Sequence, residues 1–246
     1  MSRPTHRGEV GRATGALGRT RRHFALTTST NAEATRLAAA GAPHGTLVTA
    51  AEQSAGRGRQ GRRWVAPAGQ ALLLSLVLRA GEGLPSLQEG MLPLRAGLAV
   101  ADVVGPQAGL KWPNDVLIDG RKVAGILVEA FPHRGWAVVG IGVNVAVDHR
   151  SLPSEVAAVA GTLGRERGDV ADVLADLLGR LDVRLSEPTA VVRRAWRSHD
   201  VLEGRRVEWA HGSGVAAGID ARGALQVTTT NGRTVPLDAG VVHLRR

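Results

Sequence analysis

The sequence predicts an α+β protein in two parts. Up to about residue 199, strand-like apolar runs alternate with helical segments, the pattern of a β-sheet with helices packed on it. After Asp200 the pattern changes to short strands separated by turn residues about every ten positions, which reads as a small β-barrel. The 246 residues, 43% of them hydrophobic, suffice for one large domain and a small module. The expected division is a tail over 1–22, a main domain over 23–199 and a C-terminal barrel over 200–246.

Residues 1–22 are rich in Gly, Arg and Thr without periodicity, so a disordered tail is expected. Six arginines (Arg3, Arg7, Arg12, Arg19, Arg21 and Arg22) face one acid, Glu9, and supply more than half of the formal net charge of +9. The rest of the chain is only weakly basic, which is poor support for nucleic-acid binding.

Phe24 to Thr28 reads as a short strand. Thr30 and Glu33 fit a capping box, and a helix from Ala32 to Ala40 should stop at Gly41. Ser29, Thr30 and Asn31 are explained by capping, but spare donors at a helix start also suit a ligand. Thr46 to Gln53 and Ala71 to Arg79 are strand-like, the second buried. A helix is expected from Ser86 to Val104, interrupted or starting afresh at Pro93.

Between Leu110 and Ala130, Pro113-Asn114-Asp115 breaks a strand and Asp119-Gly120 signals a hairpin turn. Val123 to Glu129 should pair back, with Gly125 where a backbone or ligand comes close. Trp136 to Val147 is a further strand, with Gly140 and Gly142. Asn144, polar in an apolar run, should be hydrogen-bonded. Val170 to Leu185 has helical spacing behind an Asp169 cap, and Pro188 to His199 reads as a second helix. Five short strands follow, with a hairpin signal at Asn231-Gly232.

The chain has no cysteine, which excludes disulfides, thiolate catalysis and Cys-based metal sites. No apolar run reaches membrane-spanning length and the N-terminus lacks a signal-peptide core, so a soluble, cytoplasmic protein is expected.

The stretch with most chemistry is Glu52 to Trp64. Gly56, Gly58 and Gly61 interleave with Arg57, Arg59, Arg62 and Arg63. Glycine admits close backbone approach, and arginine supplies planar donors for carboxylate and phosphate. An anion-binding loop that orders on its ligand is expected. The dinucleotide fingerprint fits by letter only, because no helix opens at Trp64-Val65-Ala66-Pro67. An RGG-type nucleic-acid segment would be longer and repetitive.

Lys111, Asn114, Asp115 and Lys122 surround the next hairpin, with Asn144 in an adjacent strand. None of the eight histidines falls in these motifs, and no nucleophile–base pair is evident. The residues suit bringing anions together, as when a carboxylate meets a nucleotide phosphate.

With these motifs in order, the chain from Phe24 onward resembles the biotin protein ligases. The residues are Ser29-Thr30-Asn31, Gly56-Arg57-Gly58-Arg59-Gln60-Gly61-Arg62-Arg63-Trp64, Lys111-Trp112-Pro113-Asn114-Asp115, Arg121 to Glu129, and Gly140-Ile141-Gly142-Val143-Asn144. The resemblance implies a mixed β-sheet with helices on one face, then an SH3-like barrel. It implies a reaction in which biotin's carboxylate attacks the α-phosphate of ATP, and the biotinyl-5′-AMP then acylates a lysine of a biotin carboxyl carrier domain.

Biotin contacts are implied for Ser29, Thr30, Asn31, Gln53, Gly56, Arg57, Gly58, Arg59, Lys122 and Gly125. ATP or adenylate contacts are implied for Arg59, Arg62, Trp64, Asn114, Lys122 and Asn144. Lys122, Arg59 and Asp115 are the catalytic candidates. Asp115 has three readings: a site near Mg²⁺, a role in deprotonating the acceptor lysine, or a turn cap. Trp112 also reads as core. Only the tail precedes Phe24, so no repressor role is expected, and an exposed sheet edge is open to a second copy or to the carrier. A lipoate ligase is the rival within enzymes; the arginine loop with Trp64 favours biotin.

Overall fold

The computed structural model describes residues 15–81, 90–238, 240 and 242–244. Residues 1–14 of the expected tail, and the start of the helix expected from Ser86, lie outside them. The elements in order are β1 (Arg21–Thr27), α1 (Thr30–Ala39), β2 (Leu47–Gln53), β3 (Ala71–Arg79) and α2 (Leu92–Val104). Then come β4 (Gly109–Lys111), β5 (Asp115–Ile118), β6 (Arg121–Phe131), β7 (Trp136–Asn144) and α3 (Ser154–Ala157). The chain closes with α4 (Val170–Ser186), α5 (Thr189–Arg197), β8 (Arg206–Trp209), β9 (Gly212–Ile219), β10 (Leu225–Thr229), β11 (Thr234–Leu237) and β12 (His243–Leu244).

Seven strands form one mixed sheet in the order β1-β2-β3-β7-β6-β5-β4. Only β1 and β2 run parallel, with α1 as their connection. The sheet is anchored by β3 and β7, which pair over their full length from Ala71↔Asn144 to Arg79↔Trp136. Successive side chains of β3 serve opposite faces, because a strand has a period of two. Leu72, Leu74, Leu76 and Leu78 join the core beneath α2 and α4, whereas Val77 packs with Ala34 and Ala38 of α1.

This corrects the expectation of helices on one face: α1 occupies the other. Within α2 every residue but Pro93 and Asp102 is buried, which explains its nearly continuous apolar sequence. Buried Arg95 donates to the carbonyls of Arg184, Leu185 and Glu187, satisfying the otherwise unpaired C-terminal end of α4.

The remaining strands form an antiparallel sheet in the order β11-β10-β9-β8-β12, a small barrel-like module. Asn231-Gly232 makes the expected turn, with Gly232 at φ 78° and Thr229 N–H bonded to the Arg233 carbonyl at 2.9 Å. Trp112 ties this module to the main sheet. Its ring is 2% exposed, and its Nε1–H donates to the Gly223 carbonyl at 2.9 Å.

Three local expectations are corrected. The first strand starts at Arg21, inside the segment read as tail. The capping box at Thr30 and Glu33 does not form: Thr30 is already helical, and Glu33 pairs with Arg36 at 3.2 Å. Its hydroxyl is drawn instead to buried polar partners that hold it better than exposed backbone would. Asp169 precedes α4 without a side-chain cap, because its carboxylate accepts from Glu166 N–H at 3.0 Å.

Candidate functional site

The site lies on the face of the sheet that carries α1. Ser29, Thr30 and Asn31 are 2%, 4% and 3% exposed, so the first turn of α1 points into the sheet. Gln53, at the end of β2, accepts from Thr30 N–H at 2.7 Å and from its hydroxyl at 3.1 Å. Ser75 of β3 donates to Asn31 Oδ1 at 2.6 Å and lies 2.9 Å from Thr30 Oγ1. Asn31 Nδ2 donates to Glu129 Oε2 at 2.7 Å.

Glycines in the facing strands make room for this arrangement. A Cβ on Gly140 would fall on Asn31 Oδ1, and one on Gly142 would strike the Trp64 ring. These close approaches explain why glycine recurs two residues apart in β7, on one face of the strand.

The arginine loop folds over the same face. Trp64 N–H bonds to the Gly56 carbonyl at 3.0 Å and Gly58 N–H to the Arg62 carbonyl at 2.7 Å, closing the loop at its base. A 3-10 turn at Arg59–Gly61 forms its tip, with Gln60 at φ 55° and Gly61 at φ 73°. An inner cavity of about 50 Å³ is lined by Ser29, Thr30, Asn31, Gln53, Arg57, Gly58, Trp64, Lys122 and Gly125, among others. It shares Arg57, Gly58 and Leu127 with a wider cleft of about 550 Å³ between the loop and β6.

A second cleft brings together Arg59, Arg62, Lys111, Asn114 and Asp115. Burial lowers the pKa of Arg59, Asp115 partly offsets this, and Arg62 adds to the lowering. An anion bound beside this half-buried cation would be stabilised. Lys122 connects the two clefts. It lines the inner cavity, its Nζ lies 2.5 Å from Asp115 Oδ1, and it stands 5.8 Å from the centre of the Trp64 ring.

The backbone of Lys122 is fixed by Val159 and Gly161 through two hydrogen bonds of 2.8 Å. Arg121 grips the same segment through the carbonyls of Ala160 and Ala157.

Most of the expected site residues therefore converge, in two adjoining groups. Gly56 lines only the outer cleft. Asn114 borders the second cleft while its amide holds the Ile126 carbonyl at 3.0 Å. Asn144 lines neither the inner cavity nor the second cleft: its Nδ2 donates to the Gly161 carbonyl at 2.8 Å, as its place in an apolar strand required. Among the described residues, buried Trp64 Nε1 and Asn144 Oδ1 find no hydrogen-bond partner. Ser75 and Glu129 were missed by sequence reasoning, although each is a polar residue inside an apolar run, 71–78 and 123–131, the signal that marked Asn144.

A family model described as the biotin/lipoate A/B protein ligase family matches residues 23–146. The chain belongs to this family.

The ligase is 39% identical to the biotin–[acetyl-CoA-carboxylase] ligase of Mycobacterium tuberculosis, in a match covering 90% of this chain and 88% of that one. It is 38% identical to the enzyme of the same name from Paracoccus denitrificans, over 86% and 95% of the two chains. Its fold is similar to the biotin protein ligase of Aquifex aeolicus solved with biotin and ATP: the TM-score is 0.75 at 29% identity, covering 93% of this chain and 99% of that one.

Proposed function

We infer that this chain is an ATP-dependent biotin protein ligase. It joins biotin to ATP as biotinyl-5′-AMP with release of pyrophosphate, then passes the biotinyl group to a lysine of a biotin carrier. One observation carries the reading. A polar recess at the head of α1 leads to Lys122, and Lys122 borders a cleft with an excess of cations, in a chain whose relatives are biotin ligases.

We assign the biotin ring to the recess. Ser29, Thr30 and Gln53 offer hydroxyl and amide groups to a polar ring, and Asn31, Arg57, Gly58 and Gly125 complete the walls. The carboxylate then lies toward Lys122. Arg59 and Arg62 take the phosphates and Asn114 borders the nucleotide, while Trp64, beside Lys122 at the edge of the recess, offers its ring to adenine. Asn144 acts one step removed, because Gly161, which its amide holds, is bonded to the Lys122 backbone. The domain running from β1 through α5 would bind both substrates, with the barrel-like module beside it.

Attack of the carboxylate on the α-phosphorus brings like charges together. A positioned ammonium at Lys122 and guanidinium at Arg59 lower that repulsion most as the transition state forms. The bond from the α-phosphorus to the bridging oxygen breaks and pyrophosphate leaves. In the second step the carrier lysine, having lost a proton, attacks the acyl carbon and AMP departs. Asp115 holds Lys122 between these events.

Among the described residues no cluster of three acids or histidines could cage a metal alone. Mg²⁺ carried on ATP needs only one or two protein carboxylates besides the phosphates, and Asp115, which borders the cationic cleft, would supply one. Bound there, Mg²⁺ would neutralise phosphate charge.

The carrier belongs, in our reading, to acetyl-CoA carboxylase or a related acyl-CoA carboxylase. We take the cytoplasm, where ATP and such a carrier meet, as the place of action. Among the described residues no helix is long and apolar enough to cross a membrane. The test is ATP–pyrophosphate exchange with purified protein, ATP and Mg²⁺. Exchange that requires biotin and ignores lipoate supports the reading; exchange with lipoate alone would change the substrate.

A further inference from the structure

Glu129 has no part in the scheme above, yet it sits within it. A carboxylate beside a site for two anions opposes their binding by like-charge repulsion. Its two oxygens face different partners. Oε2 accepts from Asn31 Nδ2 at 2.7 Å, whereas Oε1 stands 3.5 Å from Arg57 Nη1. Asn31 is 3% exposed and fixed in the floor, but the Arg57 side chain is 55% exposed at the loop edge. One acid thus bridges the rigid recess and the least buried cation lining it.

The orientation of Asn31 depends on the same contact. Its Oδ1 receives the Ser75 hydroxyl at 2.6 Å, so its Nδ2 must face an acceptor, and Glu129 is the nearest. The backbone carbonyl of Leu127, at 3.4 Å, is a weaker alternative.

We propose that Glu129 is a positioning residue that couples the arginine loop to the biotin recess. It fixes Asn31 in the orientation the recess needs and anchors Arg57 across the cavity mouth. The loop then stays down while the reactive adenylate is held. This inference rests on the biotin-ligase reading. It assigns Glu129 no contact with the reacting atoms.

Two substitutions separate its two contacts. Glu129→Gln keeps an acceptor for Asn31 and removes the charge opposite Arg57. Glu129→Ala removes both contacts. Release of bound biotinyl-AMP is followed by rapid dilution, alongside kcat and KM for biotin in pyrophosphate exchange. Glu129→Gln should speed release about 2–5-fold, the scale of a half-exposed ion pair, with kcat within about twofold of the native enzyme. Glu129→Ala should also raise KM for biotin about tenfold, because it leaves Asn31 Nδ2 poorly satisfied. In the double variant with Arg57→Ala, Glu129→Gln should add nothing further.

Unchanged release in Glu129→Gln would overturn the proposal, as would effects of Glu129→Gln and Arg57→Ala that multiply. A lowered melting temperature with native release and KM would reduce Glu129 to a structural acid. If Glu129→Ala does not fold, Glu129→Gln and the double variant still decide. Lack of biotin-dependent exchange in the native protein would instead defeat the functional reading itself.

Discussion

Lys122 Nζ lies 2.5 Å from Asp115 Oδ1 and 5.8 Å from the centre of the Trp64 ring. The lysine is thereby held between the recess at the head of α1 and the cationic cleft beneath the loop. Lys122→Ala should lower pyrophosphate exchange about 10²–10³-fold, the scale of a lost charge-stabilising donor. Its melting temperature should fall modestly, since the pair is partly exposed but the buried Asp115 Oδ1 loses its cation. Near-native exchange would remove Lys122 from the reaction.

Gly140→Ala places a methyl group on Asn31 Oδ1, and the floor can relieve the clash only by moving Asn31. Overpacking of this kind costs about 1–3 kcal/mol. Titration calorimetry should show weakened biotin binding, and thermal unfolding a lower melting temperature. Gly179→Ala is the control, because that glycine is exposed in the middle of α4 with nothing within 4 Å. It should stabilise the fold by about 0.5–1 kcal/mol.

Trp112→Phe keeps an aromatic side chain but loses the pyrrole ring, and with it the hydrogen bond to the Gly223 carbonyl that links the main sheet to the barrel-like module. An unsatisfied buried carbonyl should cost about 1–3 kcal/mol, read from chemical denaturation. An unchanged midpoint would mean that water takes the place of the indole.

Burial raises the pKa of Asp200 above its ordinary 3.8, and the hydrogen bond that its Oδ1 accepts from Leu202 N–H at 2.8 Å only partly offsets this. The folded protein therefore binds this proton more tightly than the unfolded chain, and Asp200 lowers stability as pH rises through the interval above 3.8. Asp200→Asn should be more stable than the native protein at neutral pH, and the gain should disappear below the ordinary carboxylate value. A gain that persists in acid would assign it to packing.

The strands of the main sheet were legible because apolar runs such as Ala71–Arg79 are long and bounded by turn residues. Gly125 could be read as a place of close approach, and Gly140 and Gly142 were visible only as glycines in a strand; the partners of all three could not be read. Asn31 and Trp64, which approach them, come from other elements, so the sequence spacing does not set those contacts; only Lys122 meets Gly125 from within β6. The capping box failed for the same reason. Thr30 had a local partner by spacing, yet Gln53 and Ser75, brought in by β2 and β3, offered buried hydrogen bonds. Ser75 and Glu129 carried the mark of a polar residue in an apolar run, which identifies a bonded group without naming its partner. The side of the sheet taken by α1 followed from the parallel pairing of β1 with β2, which no local pattern encodes.

The most direct test is complete transfer. Purified protein is incubated with biotin, ATP, Mg²⁺ and a biotin carrier domain from an acyl-CoA carboxylase, and the carrier's mass is measured. We expect one biotinyl group on one lysine, dependent on ATP and formed far more slowly with Lys122→Ala. A carrier of unchanged mass, under conditions in which an established biotin ligase modifies it, would contradict the assignment of this chain as a biotin protein ligase.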